Sequence, residues 1–209
     1  EDLPYRAFAV FYRTNAQSRV LEDGLRRVGI PYQVVGGLRF YDRLEIKDAL
    51  AYLRLLVNPR DTLSLRRIIN VPRRGIGQTT WGKIDALATE RGLSGLEALE
   101  VALATDLVSR GTLGKLQTFY DLLRGLRVDM PHMGVADITR EVLIRTGYEA
   151  QFKAEHTAEA QTRLENLGEL VNAADEFERY TPGGSLQEFL EHTALMSDQD
   201  SLQDDSGTV

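Results

Sequence analysis

Cysteine is absent from the sequence of 209 residues, and histidine occurs only three times. Without cysteine there can be neither disulfide bonds nor thiolate metal sites, which fits a reducing cytosol. The histidines, His132, His156 and His192, are far apart and lack a neighbouring carboxylate pattern, so we expect ordinary surface or core residues. Long apolar runs are missing too, since none approaches the roughly 20 residues that cross a bilayer, and no signal peptide opens the chain. The composition predicts a soluble, cytoplasmic protein without a bound metal.

The net charge of −6 argues at first against a nucleic-acid partner. The charge is uneven, however: residues 1–80 hold 14 Lys and Arg against 8 Asp and Glu, or +6, whereas residues 81–209 hold 11 against 23, or −12. The basic part is where a phosphate backbone would bind, although solvated helix faces would give the same asymmetry. A specific motif has to decide between these interpretations.

The first 36 residues predict a β-α-β unit. Residues 6–12 form an apolar, aromatic-rich run typical of a strand, residues 18–28 have helical periodicity, and residues 32–35 form a second short strand. Ser18 can cap the helix and Gly29 ends it. A single β-α-β unit leaves its parallel sheet uncovered, and the chain does not begin with methionine, so we expect a piece of a larger protein.

Beyond residue 37 every pattern is helical. Asp42 and Glu45 have the spacing of a capping box at the start of one helix, on which Lys47 and Arg54 lie away from the apolar face. Further helices are predicted at residues 63–70, from 79 or 80 to 92, and at 96–104, 113–127, 136–145, 158–180 and 186–196. The final residues are acidic, and we expect them to be mobile.

The segment between two of these helices contains Gly75, Ile76 and Gly77, the layout of a helix-hairpin-helix phosphate grip. The glycines permit a tight turn and a close approach of the backbone to a phosphate, while Ile76 can anchor the turn in the core. The next helix then presents its unpaired N–H groups and positive dipole end to the same phosphate. Contacts of this kind depend on the spacing of the phosphates and not on the bases, so we expect little sequence preference. Taken alone, these residues fit an ordinary helix-entry turn equally well.

Charged and hydroxyl side chains flank this hairpin. Arg73 and Arg74 supply positive charge, and Thr79 and Thr80 can cap the next helix or contact the DNA backbone. These neighbours favour a DNA-binding role over an ordinary turn.

A second glycine-containing stretch, residues 111–115, superficially resembles a nucleotide-binding loop. Ser109 stands where the first glycine of such a loop belongs, and Leu116 stands where serine or threonine would bind magnesium. We therefore do not expect this stretch to bind a nucleotide.

Five blocks of the sequence, in order, cover residues 9–19, 30–43, 45–54, 67–77 and 161–167. Together they resemble the superfamily 1A DNA helicases of the UvrD, PcrA and Rep type over nearly the whole chain. The resemblance implies that residues 1–40 belong to the second RecA-like motor domain, 2A, and that residues 41–200 form the helical 2B accessory domain. Residues 201–209 would be an acidic tail leading back to 2A. The expected fold is mainly α, with a helix-hairpin-helix-like element and a β-α-β remnant of a RecA-like domain.

The resemblance assigns DNA contacts to both parts of the chain. It implies single-strand contacts for Arg13 and Asn15, which fit a cap of the following helix equally well. It implies duplex contacts for the residues at or beside the family's gripping positions: Lys47, Arg73, Arg74, Gly75, Ile76, Gly77, Thr79 and Thr80. An ordinary solvated helix charge is the alternative for Lys47.

The parent of such a fragment is implied to be an ATP-dependent 3′–5′ DNA helicase of repair or replication, with ATP and magnesium as cofactors. No catalytic residue, nucleotide loop or metal ligand is recognisable in the fragment itself, so we expect it to bind DNA without hydrolysing ATP. Expected partners are duplex and single-strand junctions, the helicase domains 1A, 1B and 2A, and repair or replication proteins. The resemblance also implies a regulatory, restraining role.

Two other functions stay open from the sequence. The acidic part from residue 81 onward could be a protein-docking or autoinhibitory module. A helix-hairpin-helix DNA glycosylase would need a catalytic aspartate in a Gly/Pro-rich loop beyond the hairpin, and residues 94–100 offer no such loop.

Overall fold

The computed structural model describes residues 3–204, and within this range the chain forms ten α-helices and no β-strand, which confirms a mainly α fold. The helices are α1 (Ser18–Arg27), α2 (Leu44–Val57), α3 (Thr62–Ile68), α4 (Gln78–Arg91), α5 (Gly95–Leu103), α6 (Arg110–Asp129), α7 (Val135–Arg145), α8 (Tyr148–Glu155), α9 (Ala158–Tyr180) and α10 (Leu186–Asp204). Side chains are described up to residue 196. Of the predicted acidic tail, residues 201–204 continue α10 and residues 205–209 lie outside the described residues.

Helix α2 lies at the centre of the fold and packs against α3, α7, α9 and α10. Of the apolar residues that define its predicted face, Val57 is half-buried and the others are buried: Ile46, Ala49, Leu50, Leu53 and Leu56. Tyr52 and Leu55 are buried as well, so the helix is enclosed on most sides, as expected where apolar residues continue around a helix. None of the helices among residues 3–204 has both the length and the apolar character of a membrane span.

The predicted capping box at the start of α2 is wrong. Asp42 ends a short 3₁₀ turn, Phe40–Asp42, and the N-cap of α2 is Arg43 without a side-chain cap. Glu45 is turned inward, where it accepts a hydrogen bond from Asn166 of α9 at 2.6 Å. The local spacing could not reveal this, because the competing partner is distant in sequence.

The two predicted strands do not form in the described residues. Residues 6–12 and 32–35 have no ladder partner there, and Phe11 and Val35 are 93% and 87% exposed. A parallel pair needs neighbouring strands and a covering layer on each face, and residues 3–204 supply neither. The intervening helix is confirmed as α1, which Gly29 follows with a φ of +70°.

Helix α1 is attached to α9 by ion pairs around Arg19, whose side chain is almost completely buried. Its guanidinium donates to Glu169 at 3.1 Å and Glu176 at 2.9 Å, both on α9, and to Asp23 on α1 at 3.2 Å. The hydrogen bond from Arg19 holds the pKa of Glu176 below its usual value. Since a buried cation requires satisfied hydrogen bonds, these contacts fix α1 against α9.

Arg43 makes a second buried connection between the N-terminal segment and α9. Its guanidinium donates to the carbonyl oxygen of Asn15 at 2.9 Å, to Ser18 Oγ at 2.7 Å and to Asn166 Oδ1 at 2.9 Å. Ser18 is the first residue of α1 and serves this network, so its predicted role as the N-cap is wrong. The segment before α1 is thereby held against the helical core.

Candidate nucleic-acid interface

The loop between α3 and α4, residues 69–77, carries most of the residues predicted to contact duplex DNA. Asn70 organises it, because its side-chain oxygen accepts the backbone N–H of Arg74 at 2.9 Å and of Ile76 at 3.1 Å. Asparagine in turns commonly bonds nearby backbone groups, so its position just after a helix was the signal that sequence reasoning missed. The Val71–Pro72 peptide bond in this loop is cis.

Gly75, Ile76 and Gly77 occupy three different local environments. Gly75 has a φ of +71°, in the left-handed region that favours glycine. Ile76 is only 2% exposed and anchors the loop in the core. Gly77 is extended, with φ −85° and ψ 176°, and a Cβ added there would meet no described heavy atom within 4 Å. The positive φ favours glycine at position 75, whereas neither the backbone angles nor close packing requires glycine at position 77, where it is one of several suitable N-cap residues.

The first turn of α4 presents free backbone donors beside Gly77, its N-cap. Thr80 and Trp81 donate their N–H groups to the Gly77 carbonyl at 3.0 and 3.1 Å, whereas those of Gln78 and Thr79 have no acceptor among the described residues. The Thr79 side chain is exposed and that of Thr80 is half-buried. Free N–H groups and the positive end of the helix dipole favour an anion at this position.

The two arginines of the loop have opposite surroundings. Arg73 is exposed and forms no hydrogen bond or ion pair within the described part of the chain. The Arg74 guanidinium is turned inward and donates to the carbonyl oxygens of Ile68 (3.1 Å), Val71 (2.8 Å), Pro72 (3.2 Å) and Thr146 (3.3 Å) and to the Tyr52 hydroxyl (2.6 Å). It also lies 5.0 Å from the ring centre of Phe119. We therefore reassign Arg74 from the predicted phosphate contacts to the support of the loop.

Tyr52 of α2 completes this inner network. Burial raises the pKa of Tyr52 to about 12, so its hydroxyl stays neutral at physiological pH. The hydroxyl accepts from Arg74 and donates to the carbonyl oxygen of Val71. The loop is thus bonded from its inner side to the central helix.

Lys47 lies on α2, outside the loop. Its Nζ is 2.7 Å from Asp42 Oδ1, and its side chain is 43% exposed. Because exposed ion pairs contribute little to stability, Lys47 can exchange Asp42 for another anion at small cost.

Arg13 and Asn15 lie in the segment that precedes α1. The backbone N–H of Arg13 donates to Gln17 Oε1 at 2.9 Å, and the carbonyl of Asn15 accepts from Arg43, while both side chains remain exposed. Among the described residues, no hydrogen bond or ion pair joins this segment to the hairpin. The described part also contains no group of three or more potential metal ligands.

The sequence matches, over residues 1–209, the family described as the UvrD-like helicase C-terminal domain, and the chain belongs to that family. It is 42% identical to the ATP-dependent DNA helicase PcrA of Bacillus subtilis over 194 residues, which cover 93% of this chain and 26% of the relative. It is 40% identical to PcrA of Staphylococcus aureus strain Mu50 over 207 residues, 98% of this chain and 28% of the relative. The chain therefore spans about a quarter of the length of these relatives, and the resemblance to UvrD- and PcrA-type helicases is confirmed.

Proposed function

We propose that residues 41–200 are the 2B accessory domain, and residues 1–40 the leading part of motor domain 2A, of an ATP-dependent 3′–5′ DNA helicase. The domain binds duplex DNA through its phosphates, near the junction where the strands separate and without sequence preference. ATP and magnesium bind elsewhere in the parent enzyme, because this chain has no recognisable nucleotide-binding loop, and the chain alone hydrolyses no ATP. The names of the relatives support the helicase part of this proposal, and the family description leaves 2A and 2B undistinguished.

The DNA-binding part of this proposal rests on one observation, the glycine at position 77. Its backbone angles suit any residue and its surroundings leave room for a side chain, so packing does not require glycine there, and we assign the missing side chain to the approach of a ligand. A phosphate that approaches Gly77 meets the free N–H groups of Gln78 and Thr79, the positive end of α4 and the charge of Arg73. A side chain at position 77 would stand between these donors and the phosphate.

Further DNA contacts are proposed outside the loop. Lys47 is a second duplex contact, since its side chain is 43% exposed and, among the described residues, its Nζ pairs with Asp42 alone. The exposed side chains of Arg13 and Asn15 contact the single strand. Helicase domains 1A, 1B and the rest of 2A are the partners within the parent, and repair or replication proteins are external partners.

A second candidate function is protein docking by the acidic part of the chain. Residues 81–209 hold 23 Asp and Glu against 11 Lys and Arg, a charge that attracts basic partners and repels DNA. This role is compatible with the first because it uses another part of the chain. A DNA glycosylase is disfavoured, since the region beyond the hairpin that would hold its catalytic loop is helix α5 with Ser94 as its N-cap.

The hairpin contact is tested by titrating a duplex with a single-stranded tail against the wild-type chain and Gly77→Ala at several salt concentrations. We expect the wild-type affinity to fall steeply with salt, because phosphate contacts release counterions. Gly77→Ala should bind about tenfold more weakly, equivalent to about 1.4 kcal/mol. Gly168→Ala is the matched control, because Gly168 is exposed on α9 and a Cβ there also meets nothing within 4 Å.

The Gly77→Ala variant must also remain folded. Alanine is a poorer N-cap than glycine but restricts the unfolded chain, and these opposing effects should keep the change in unfolding free energy within about 1 kcal/mol. Equal affinity of Gly77→Ala and wild type at every salt concentration would remove the hairpin from the proposal.

A further inference from the structure

The inward turn of Arg74 leaves the proposed phosphate site with Arg73 as its only cation from the loop. One other positive charge lies at the hairpin, and it comes from a distant part of the chain. Lys115 of α6 is exposed, and its Nζ is 3.5 Å from the carbonyl oxygen of Gly75. A Cβ added at Gly75 would be only 2.6 Å from this Nζ. The lysine therefore reaches the turn of the hairpin itself.

The position of Lys115 follows from the packing of α6. Leu116 and Phe119 are buried in the core, and the Phe119 ring lies under the Arg74 guanidinium. The turn of α6 that supports the loop from inside thus also places Lys115 at the outer side of the loop. Lys115 forms no ion pair within the described residues, so its charge is available to a ligand.

We propose that Lys115 contacts the duplex phosphate held at the hairpin, so that the site is built from two elements, the α3–α4 loop and α6. This inference rests on the proposed function. An ammonium group has three donors, so one can be directed to the Gly75 carbonyl while the others bind phosphate oxygens. Lysine binds phosphate as a point charge, which suits a contact that does not read the bases.

If Lys115 had a purely structural role, that role would be limited to its bond with the Gly75 carbonyl. A bond of 3.5 Å to a carbonyl is at the outer limit of hydrogen bonding, and an exposed one stabilises the fold little. Removal of the charge should therefore leave stability unchanged whichever role is correct. DNA affinity and its salt dependence distinguish the two roles.

The test is a titration of the tailed duplex against wild type, Lys115→Gln and Arg124→Gln at several salt concentrations. Lys115→Gln should bind roughly fivefold more weakly, and its plot of log affinity against log salt should be shallower by about 0.9, the loss of one phosphate contact. Arg124→Gln is the matched control, because Arg124 is exposed on the same helix and lies nine residues, or two and a half turns, further on, which places it on the opposite face. It removes the same charge and should retain wild-type affinity and slope.

The outcomes separate this inference from the function on which it rests. Wild-type affinity and slope for Lys115→Gln, while Gly77→Ala still weakens binding, would overturn the role of Lys115 alone. Equal weakening by Lys115→Gln and Arg124→Gln would also overturn it, because net charge would then explain both. Absence of salt-dependent binding by the wild-type chain would overturn the proposed function together with the inference.

Discussion

Replacement of Arg74 with alanine is expected to lower the free energy of unfolding by about 3 kcal/mol. The guanidinium is the shared donor for carbonyl oxygens of the loop, for the Thr146 carbonyl and for the Tyr52 hydroxyl. Hydrogen bonds to charged groups contribute more than neutral ones, and partly buried acceptors that lose their donor keep the cost of desolvation. Urea denaturation followed by circular dichroism measures the change.

The neighbouring Arg73→Ala is the matched control. The Arg73 side chain is exposed and has no partner in the described residues. The free energy of unfolding of the variant should therefore differ from that of the wild type by no more than about 0.5 kcal/mol. Its DNA affinity should nevertheless fall and its salt dependence weaken, since one phosphate contact is lost. If both substitutions destabilised the chain equally, the different roles assigned to these adjacent arginines would be contradicted.

Arg43→Ala is expected to be similarly destabilising, by about 3 kcal/mol. The buried guanidinium bonds Asn15, Ser18 and Asn166. Its removal takes this donor from the oxygens of Ser18 and Asn166, whereas the Asn15 carbonyl keeps the backbone N–H of Ser18. Arg43 is buried, and this burial lowers the pKa of its guanidinium. Thermal and urea denaturation of the purified variant give the change in stability.

Arg54→Ala on the same central helix is the comparison for this variant. Arg54 is exposed, so its removal should have little effect on stability. A loss for Arg43→Ala as small as that for Arg54→Ala would show that the buried network does not hold the N-terminal segment in place.

The contacts of Arg19 and Arg43 bear on the proposed domain boundary at residue 40. Helix α1, on the 2A side of that boundary, is bonded through Arg19 to Glu169 and Glu176 of α9, on the 2B side. Residues 15–27 therefore belong energetically to the helical part of the chain.

Long helices with a regular apolar pattern could be predicted from the sequence. The expected helix at residues 158–180 is found as Ala158–Tyr180, because its apolar residues recur every three or four positions, at Leu164, Leu167, Val171, Ala174 and Phe177. Helix α8 was missed, since its eight residues bury only Tyr148 and Phe152, too short a pattern to recognise. The predicted strands failed for a different reason, because a strand forms only with partners that the described residues do not contain.

In the candidate site too, features set by neighbouring residues could be predicted, and features set by distant helices could not. The positive φ of Gly75 and the burial of Ile76 follow from residues adjacent in sequence, and both agree with the predicted hairpin. The inward turn of Arg74 depends on Tyr52 and Phe119 from other helices, so nothing in the pair Arg73-Arg74 distinguishes the two side chains. The approach of Lys115 to the hairpin likewise depends on the packing of α6, which no local motif encodes.

The most direct test of the central claim is an NMR titration of the isotope-labelled chain with a tailed duplex, which follows every backbone amide. We expect the largest shift changes at residues 75–81, with Arg73 and Lys115 also affected and with changes that reverse at high salt. Shift changes centred on the acidic helix α9, with the amides of Gly77, Gln78 and Thr79 unmoved, would contradict this expectation.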